Sequence, residues 1–177
     1  MRSRFRIVAG VALVIGTVIA ATAGISYASH KDHTVYRADV MAGVTAPYTG
    51  ATNAIRGVPG GGLPWVIADA EIRLRQSGRI DVEVEGLVIG PNLVRPDLAG
   101  KNPVPFFKVI VSCLSTDATT GAAVTTNVSS DPIPADGEGN AEGRVMVSLP
   151  SPCFAPIVFV ASGVAGPTNA WFAVSGA

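Results

Sequence analysis

Histidine is almost missing from this chain: among 177 residues only His30 and His33 occur, both near the N-terminus. Everything after them lacks an imidazole, which removes the usual general base, Ser-His-Asp and Cys-His catalysis, and histidine-ligated zinc or copper. No Ser-x-x-Lys or Gly-x-Ser-x-Gly occurs either, so a lysine-assisted or elbow-mounted serine nucleophile has no signature. The two cysteines, Cys113 and Cys153, are forty residues apart and form no Cys-x-x-Cys redox or zinc pair. Positive charge is not in surplus, since thirteen Lys and Arg face thirteen Asp and Glu. Without a basic stripe the chain lacks the electrostatic footprint of a nucleic-acid binder. Aromatics make up only 6% of the residues. Trp65 and Trp171 are therefore assigned to the core rather than to a sugar-stacking platform.

What is present begins with an address. Arg2, Arg4 and Arg6 precede an apolar, Ala- and Gly-rich run over residues 7–25, and small residues follow, which is the three-part plan of a secretory signal peptide. Ala21-Thr22-Ala23 and Ser26-Tyr27-Ala28 both present small residues for cleavage, and residues 1–28 are taken as the signal peptide. The competing reading is an uncleaved anchor helix, because the run approaches the ~20 residues that span a bilayer. Gly10, Gly16 and Gly24 weaken that helix. Arg2-Ser3-Arg4 is not a twin arginine, which points to export as an unfolded chain. Removing residues 1–28 takes away three basic and no acidic residues, so the remainder carries three more acidic than basic groups.

In an oxidising compartment an even pair of cysteines is first a disulfide. Closing the Cys113–Cys153 loop would stabilise the fold by roughly 4 kcal/mol in the chain-entropy model.

Residues 29–62 are rich in Gly, Pro, Thr and Ala and end in Val58-Pro59-Gly60-Gly61-Gly62. They are assigned to a flexible spacer, with residues 34–40 as a strand that could lie on the domain. The glycine triplet has no phosphate-loop spacing and reads as a hinge. His30-Lys31-Asp32-His33 belongs to a solvated leader rather than a metal site.

The body, residues 63–177, is written in strand code. Asp69–Arg75 alternates, with Ala70, Ile72 and Leu74 on one face and charges on the other, and Arg79–Glu85 repeats the pattern. A three-residue turn at Gln76-Ser77-Gly78 pairs Leu74 with Ile80 and Ile72 with Val82, whereas a two-residue turn would oppose apolar and charged residues. Gly78 then takes the left-handed bulge position. The same register sets Arg73 opposite Asp81 and Glu71 opposite Glu83. Five more strands are expected at residues 106–114, 122–128, 144–149, 156–162 and 170–175, separated by Gly, Pro, Asn and Asp clusters. Seven strands at this spacing predict an all-β, antiparallel β-sandwich, immunoglobulin-like or jelly-roll, with one disulfide and an N-terminal signal or anchor helix ahead of it.

Two constellations carry residual chemistry. Asp81, Glu83 and Glu85 share one strand face at spacings compatible with a carboxylate-dependent hydrolase, but alternation with apolar residues makes them a solvated face first. Asp136, Glu138 and Asn140 offer oxygen on alternate residues, as a calcium loop does. The EF-hand pattern fails there, because Ala141 stands at the sixth position and Val147 at the twelfth. Asn127-Val128-Ser129 matches the glycosylation triplet and is taken as chance.

The stretch Gly60-Gly61-Gly62-Leu63-Pro64-Trp65-Val66-Ile67, with Glu85-Gly86-Leu87-Val88, Val111-Ser112-Cys113-Leu114, Leu149-Pro150-Ser151-Pro152-Cys153 and Trp171-Phe172-Ala173-Val174, resembles a group of small exported bacterial proteins of unassigned activity. The resemblance implies a stand-alone secreted β domain and supplies no catalytic residues. The expected role is a non-enzymatic secreted or cell-surface interaction module with no cofactor. Its rivals are a carbohydrate- or calcium-binding module and a hydrolase. Residues 156–161 and 171–174 are apolar on both faces, so something must cover the second face. A second copy or a surface partner docking near Phe159 and Trp171 is one expectation, and cover by the chain's own leader or loops is the other.

The N-terminal pattern makes a direct prediction. Intact-mass measurement of secreted material will give a chain beginning near Ser29, and a full-length mass in the membrane fraction would establish the anchor instead.

Overall fold

The computed structural model describes residues 32–164 and 169–176. The expected signal or anchor segment, residues 1–28, lies outside them. Twelve strands run through the described chain: β1 (Thr34–Ala38), β2 (Met41–Gly43), β3 (Trp65–Val66), β4 (Asp69–Arg75), β5 (Arg79–Glu85), β6 (Val88–Ile89), β7 (Phe106–Thr116), β8 (Ala123–Ser129), β9 (Ile133–Pro134), β10 (Ala141–Met146), β11 (Phe154–Ser162) and β12 (Trp171–Ser175). The only helical element among them is a 3-10 turn at Pro96–Leu98. All paired strands are antiparallel.

The first sheet has the order β1-β4-β5-β10, and the second β2-β12-β11-β7-β8 with β9 also on β7. A short pair, β3 and β6, forms the third. Alternation explains the first sheet. Ala70, Ile72, Leu74, Ile80, Val82 and Val84 are buried in the same apolar cluster as Phe107, Val109, Val111, Val158 and Val160 of the second sheet.

The β4–β5 register is the expected one: Leu74 pairs with Ile80, Ile72 with Val82, Arg73 with Asp81, and Glu71 with Glu83. Gly78 has φ +85°, and its N–H donates to Arg75 O at 2.9 Å. A second constraint falls on the same residue. The Val147 N–H donates to Gly78 O at 3.0 Å, and a Cβ on Gly78 would lie 2.0 Å from Val147 O.

The disulfide forms between Cys113 and Cys153, with Cα atoms 5.0 Å apart. Cys113 is wholly buried. The bridge ties β7 to the residue before β11 and closes the loop that contains β8, β9 and β10.

Three expectations are corrected. The spacer is the first: within residues 29–62 the described part is folded. It supplies β1 on the first sheet and β2 on the second, and Val44 and Val58 are buried. Asp32 and His33, assigned to a solvated leader, are fastened to the β4–β5 turn. Asp32 Oδ1 accepts the Ser77 N–H at 3.0 Å, Asp32 Oδ2 accepts the Ser77 hydroxyl at 2.9 Å, and His33 O accepts the Gln76 N–H at 2.8 Å. In the glycine triplet, Gly60 and Gly61 are close approaches rather than a hinge, whereas Gly62 has open space beside it. A Cβ on Gly60 would stand 2.0 Å from Tyr48 O, and one on Gly61 would stand 3.1 Å from the Phe172 and Trp65 rings.

The second correction concerns Phe159 and Trp171. They form no docking face, being 0% and 2% exposed, with ring centroids 5.9 Å apart. Their cover is intramolecular. The Trp171 N–H donates to Pro59 O at 2.9 Å and the Gly61 N–H to Trp171 O at 2.8 Å. Arg56 Nη1 donates to Ser112 O at 3.0 Å and Ala155 O at 2.8 Å, bridging β7 and the start of β11.

The third is a boundary. The strand expected over residues 144–149 runs from Ala141 to Met146, and the loop before it holds β9. Gly143 hides this strand from pattern reading. It is there because Ile133 of β9 packs over it, with Ile133 Cγ2 3.0 Å from where a Cβ would sit.

Replacing Gly78 with Val will lower stability by more than about 1 kcal/mol, because positive φ and the Val147 carbonyl both exclude a β-branched side chain. The midpoint of urea unfolding measures this, and an unchanged midpoint would contradict the turn geometry.

Candidate functional site

Alternation on β4, β5 and β10 sends every second side chain out of the first sheet, and the register assembles these into rows. Glu71, Glu83 and Glu142 stand in one row across three strands, and Arg73, Asp81 and Arg144 in the next. Arg37 of β1 sits beside Arg73. Together with Arg75 the two rows line a shallow depression of about 480 Å³.

Two of the four carboxylates in this depression, Glu71 and Asp81, are held in ion pairs. Glu71 binds Arg37 at 2.8 Å and also Arg73. Asp81 accepts from Arg144 Nε at 2.7 Å and from Arg75 Nη2 at 3.4 Å. The Arg144 hydrogen bond is the main cause that holds the Asp81 carboxyl below its ordinary value of 3.8, against a smaller opposing effect of desolvation. A general acid needs a carboxyl shifted upward. Asp81 is shifted the other way, and its oxygens are engaged by two guanidinium groups. Glu83, flanked by Glu71 and Glu142, has no ion-pair partner among the described residues. Glu85 pairs with Asp69 at the end of the strand, with no cation beside it in the register.

The acidic turn is built for the fold. Asp136 Oδ1 accepts the Asn140 N–H at 2.8 Å, and Oδ2 accepts Asn140 Nδ2 at 3.0 Å. Asn140 Oδ1 in turn accepts the Gly86 N–H at 3.0 Å, fastening the turn to the end of β5. The Asn140 N–H is the main cause lowering the Asp136 pKa. Glu138 is exposed, and it enters this network only through its backbone N–H, a lesser cause of the lowered Asp136 pKa. Among the described residues no group of three or more His, Cys, Asp or Glu side chains is placed to hold a metal ion.

A second surface feature was not singled out in the sequence. Between β6 and the 3-10 turn, Asn92 ties its own loop: Oδ1 accepts the Arg95 N–H at 2.6 Å, and Nδ2 donates to Gly90 O at 3.0 Å and to Arg95 O at 3.3 Å. Arg95 pairs with Asp97 at 2.8 Å. The two residues inside this tie, Leu93 and Val94, are 100% and 77% exposed. The signal available was two apolar residues enclosed by turn formers, where a loop serving only as a connection is expected to be polar.

No known protein family, curated protein or solved structure matches the chain. Among the described residues no helix is long and apolar enough to cross a membrane.

The Asp81 network predicts a pH dependence with a definite sign. A carboxyl whose folded pKa lies below its unfolded value adds stability above the unfolded value, and the contribution is lost as pH falls through the folded one. The stability difference between wild type and Asp81→Asn will be constant above about pH 5 and shrink below about pH 4. Thermal unfolding of both proteins across that range measures it, and a difference that grows toward acid would overturn the assignment.

Proposed function

We propose that the protein is a non-enzymatic, disulfide-bonded β-sandwich that works outside the cytoplasm as an interaction module. The observation that carries the interaction role is the Leu93–Val94 tip. Burial of apolar area is worth about 25 cal/mol per Å², and this loop forgoes it for two side chains while ordering its backbone with three Asn92 hydrogen bonds. Ordering before contact lowers the entropic cost of binding. An exposed apolar pair on a fixed loop suits a partner with an apolar pocket.

The compartment is supported by the Cys113–Cys153 bridge, which belongs to oxidising surroundings, by the signal-like residues 1–28, and by the resemblance to small exported bacterial proteins. Two sheets that share one apolar cluster support the sandwich reading. The non-enzymatic reading is supported by the sequence, which has no imidazole after His33, and by Asp81, whose oxygens are held by Arg144 and Arg75.

The test is a double variant, Leu93→Ser with Val94→Ser. Both side chains are exposed, so unfolding will be unchanged within about 0.5 kcal/mol, while retention on the producing cell's envelope, measured by quantitative immunoblot against the medium, will fall. Unchanged retention would overturn the loop's role. Calorimetric titration with glycans and Ca²⁺ separates the carbohydrate- or calcium-binding alternative, and loss of a hydrolytic turnover in Glu83→Gln would replace the module with an enzyme.

A further inference from the structure

The two larger sheets end in four edge strands, β1, β10, β2 and β8, and three of the four are guarded. β1 carries Arg37, β10 carries Glu142 and Arg144, and β2 is only three residues long. Charge and shortness are the usual protections against strand addition. The fourth edge, β8, is seven residues long, Ala123-Val124-Thr125-Thr126-Asn127-Val128-Ser129, with no charge and no proline.

The direction of its backbone groups follows from the register. The Asp117 N–H donates to Ala122 O at 2.8 Å and the Ser130 N–H donates to Val109 O at 2.9 Å, one beyond each end of the β7–β8 ladder. Opposed residues alternate between hydrogen-bonded and non-hydrogen-bonded pairs in an antiparallel ladder. Counting inward from either end gives the same result. Val124, Thr126 and Val128 aim their N–H and C=O groups at β7, opposite Ser115, Cys113 and Val111. Ala123, Thr125, Asn127 and Ser129 aim theirs away, and these groups have no protein partner among the described residues.

We infer that β8 pairs antiparallel with β8 of a second copy, across a two-fold axis at Thr126. The sequence is self-complementary about that residue. In this register Ala123 meets Ser129 of the second copy and Thr125 meets Asn127, so all four outward residues of each chain are mated. A shift by two residues leaves one of the four unpaired, and a shift by one sets outward groups against inward ones. Side chains agree with the backbone. Val124, Thr126 and Val128 share the face that continues from Val111 and Cys113, and the pairing sets Val124 against Val128 and Thr126 against Thr126, β-branched pairs that favour a sheet. Val124, 37% exposed in the single chain, gains an apolar neighbour. No like charges meet, and the interface is isologous, so assembly closes at two copies.

This goes beyond the interaction-module reading and is carried by different residues. Failure of the pairing would leave the Leu93–Val94 loop standing, because envelope retention is a separate measurement. The test is sedimentation of the secreted protein over a concentration series, with Thr125→Pro beside wild type. Thr125 does not use its N–H toward β7, so proline removes only the outward donor and the fold is retained. Wild type will rise toward twice the monomer mass with concentration, and Thr125→Pro will stay monomeric with an unchanged unfolding temperature. Register is read by cross-linking. A mixture of Val124→Cys and Val128→Cys proteins will form a disulfide-linked dimer under oxidation, since opposed non-hydrogen-bonded residues have Cα atoms about 4.5 Å apart. Either variant alone will not, its own two copies being roughly 13 Å apart. A wild type that remains monomeric throughout, a dimer that survives Thr125→Pro, or cross-linking by one variant alone would each overturn the inference.

Discussion

Four consecutive residues of β11, Val158, Phe159, Val160 and Ala161, are all buried. A strand has two faces and neighbouring residues alternate between them, so both faces of the second sheet must be covered. Much of the fold is arranged to meet that requirement. Val158 and Val160 share a core with the apolar face of the first sheet. Phe159 and Trp171 look the other way, and the described residues form no third large sheet to place there. A stretch of backbone does the covering: residues 55–61, bonded to Trp171 at Pro59 and Gly61 and clamped at Arg56. The tightness at Gly60 and Gly61 follows, since a backbone laid against aromatic rings and a carbonyl has no room for a Cβ.

The first sheet solves the opposite problem, with one face in the core and one in water. Its outward residues are charged, and the register decides which of them meet. Arg73 opposite Asp81 is favourable, and Glu71 opposite Glu83 is not. The unfavourable contact is relieved sideways, because Arg37 of β1 and Arg73 both reach Glu71. Asp81 draws on Arg144 and Arg75 in the same way. The result is a charged lattice with its cations and anions largely matched, and matched charges on an open face are worth little individually to stability.

Legibility in the sequence followed from how many physical constraints each residue served. β4 and β5 were readable to the residue because seven-residue alternation, a positive-φ glycine and turn length all specify one register. The disulfide was readable from an even cysteine count together with the expected compartment. β3, β6 and β9, two residues each, are too short to show any period. β10 was displaced because Gly143 was selected by Ile133 above it rather than by strand propensity. The glycine triplet failed for a sharper reason. Glycine marks both freedom and crowding, and only the position of Tyr48, Phe172 and Trp65 distinguishes them. Phe159 and Trp171 were correctly seen to need cover. Cover by the chain's own leader or loops is one of the two sequence expectations, and composition alone, which marks residues 29–62 as a spacer, does not single out residues 55–61 as the segment that supplies it. Leu93 and Val94 were passed over because turn formers on both sides marked the loop as a connection.

The two surface features that remain are of different kinds. Leu93 and Val94 offer side chains on a backbone whose own polar groups are tied within the loop. β8 offers backbone, and its side chains are small and uncharged. A backbone edge is indifferent to sequence, which is why exposed edges are usually blocked by charge. Three edges here are blocked, so protection was available to this fold. One substitution to lysine or glutamate within β8 would have extended it to the fourth. The near-symmetry of Val124-Thr125-Thr126-Asn127-Val128 adds what a bare edge lacks: in the two-fold antiparallel register the inferred pairing would mate every outward backbone group and also set like β-branched side chains against each other.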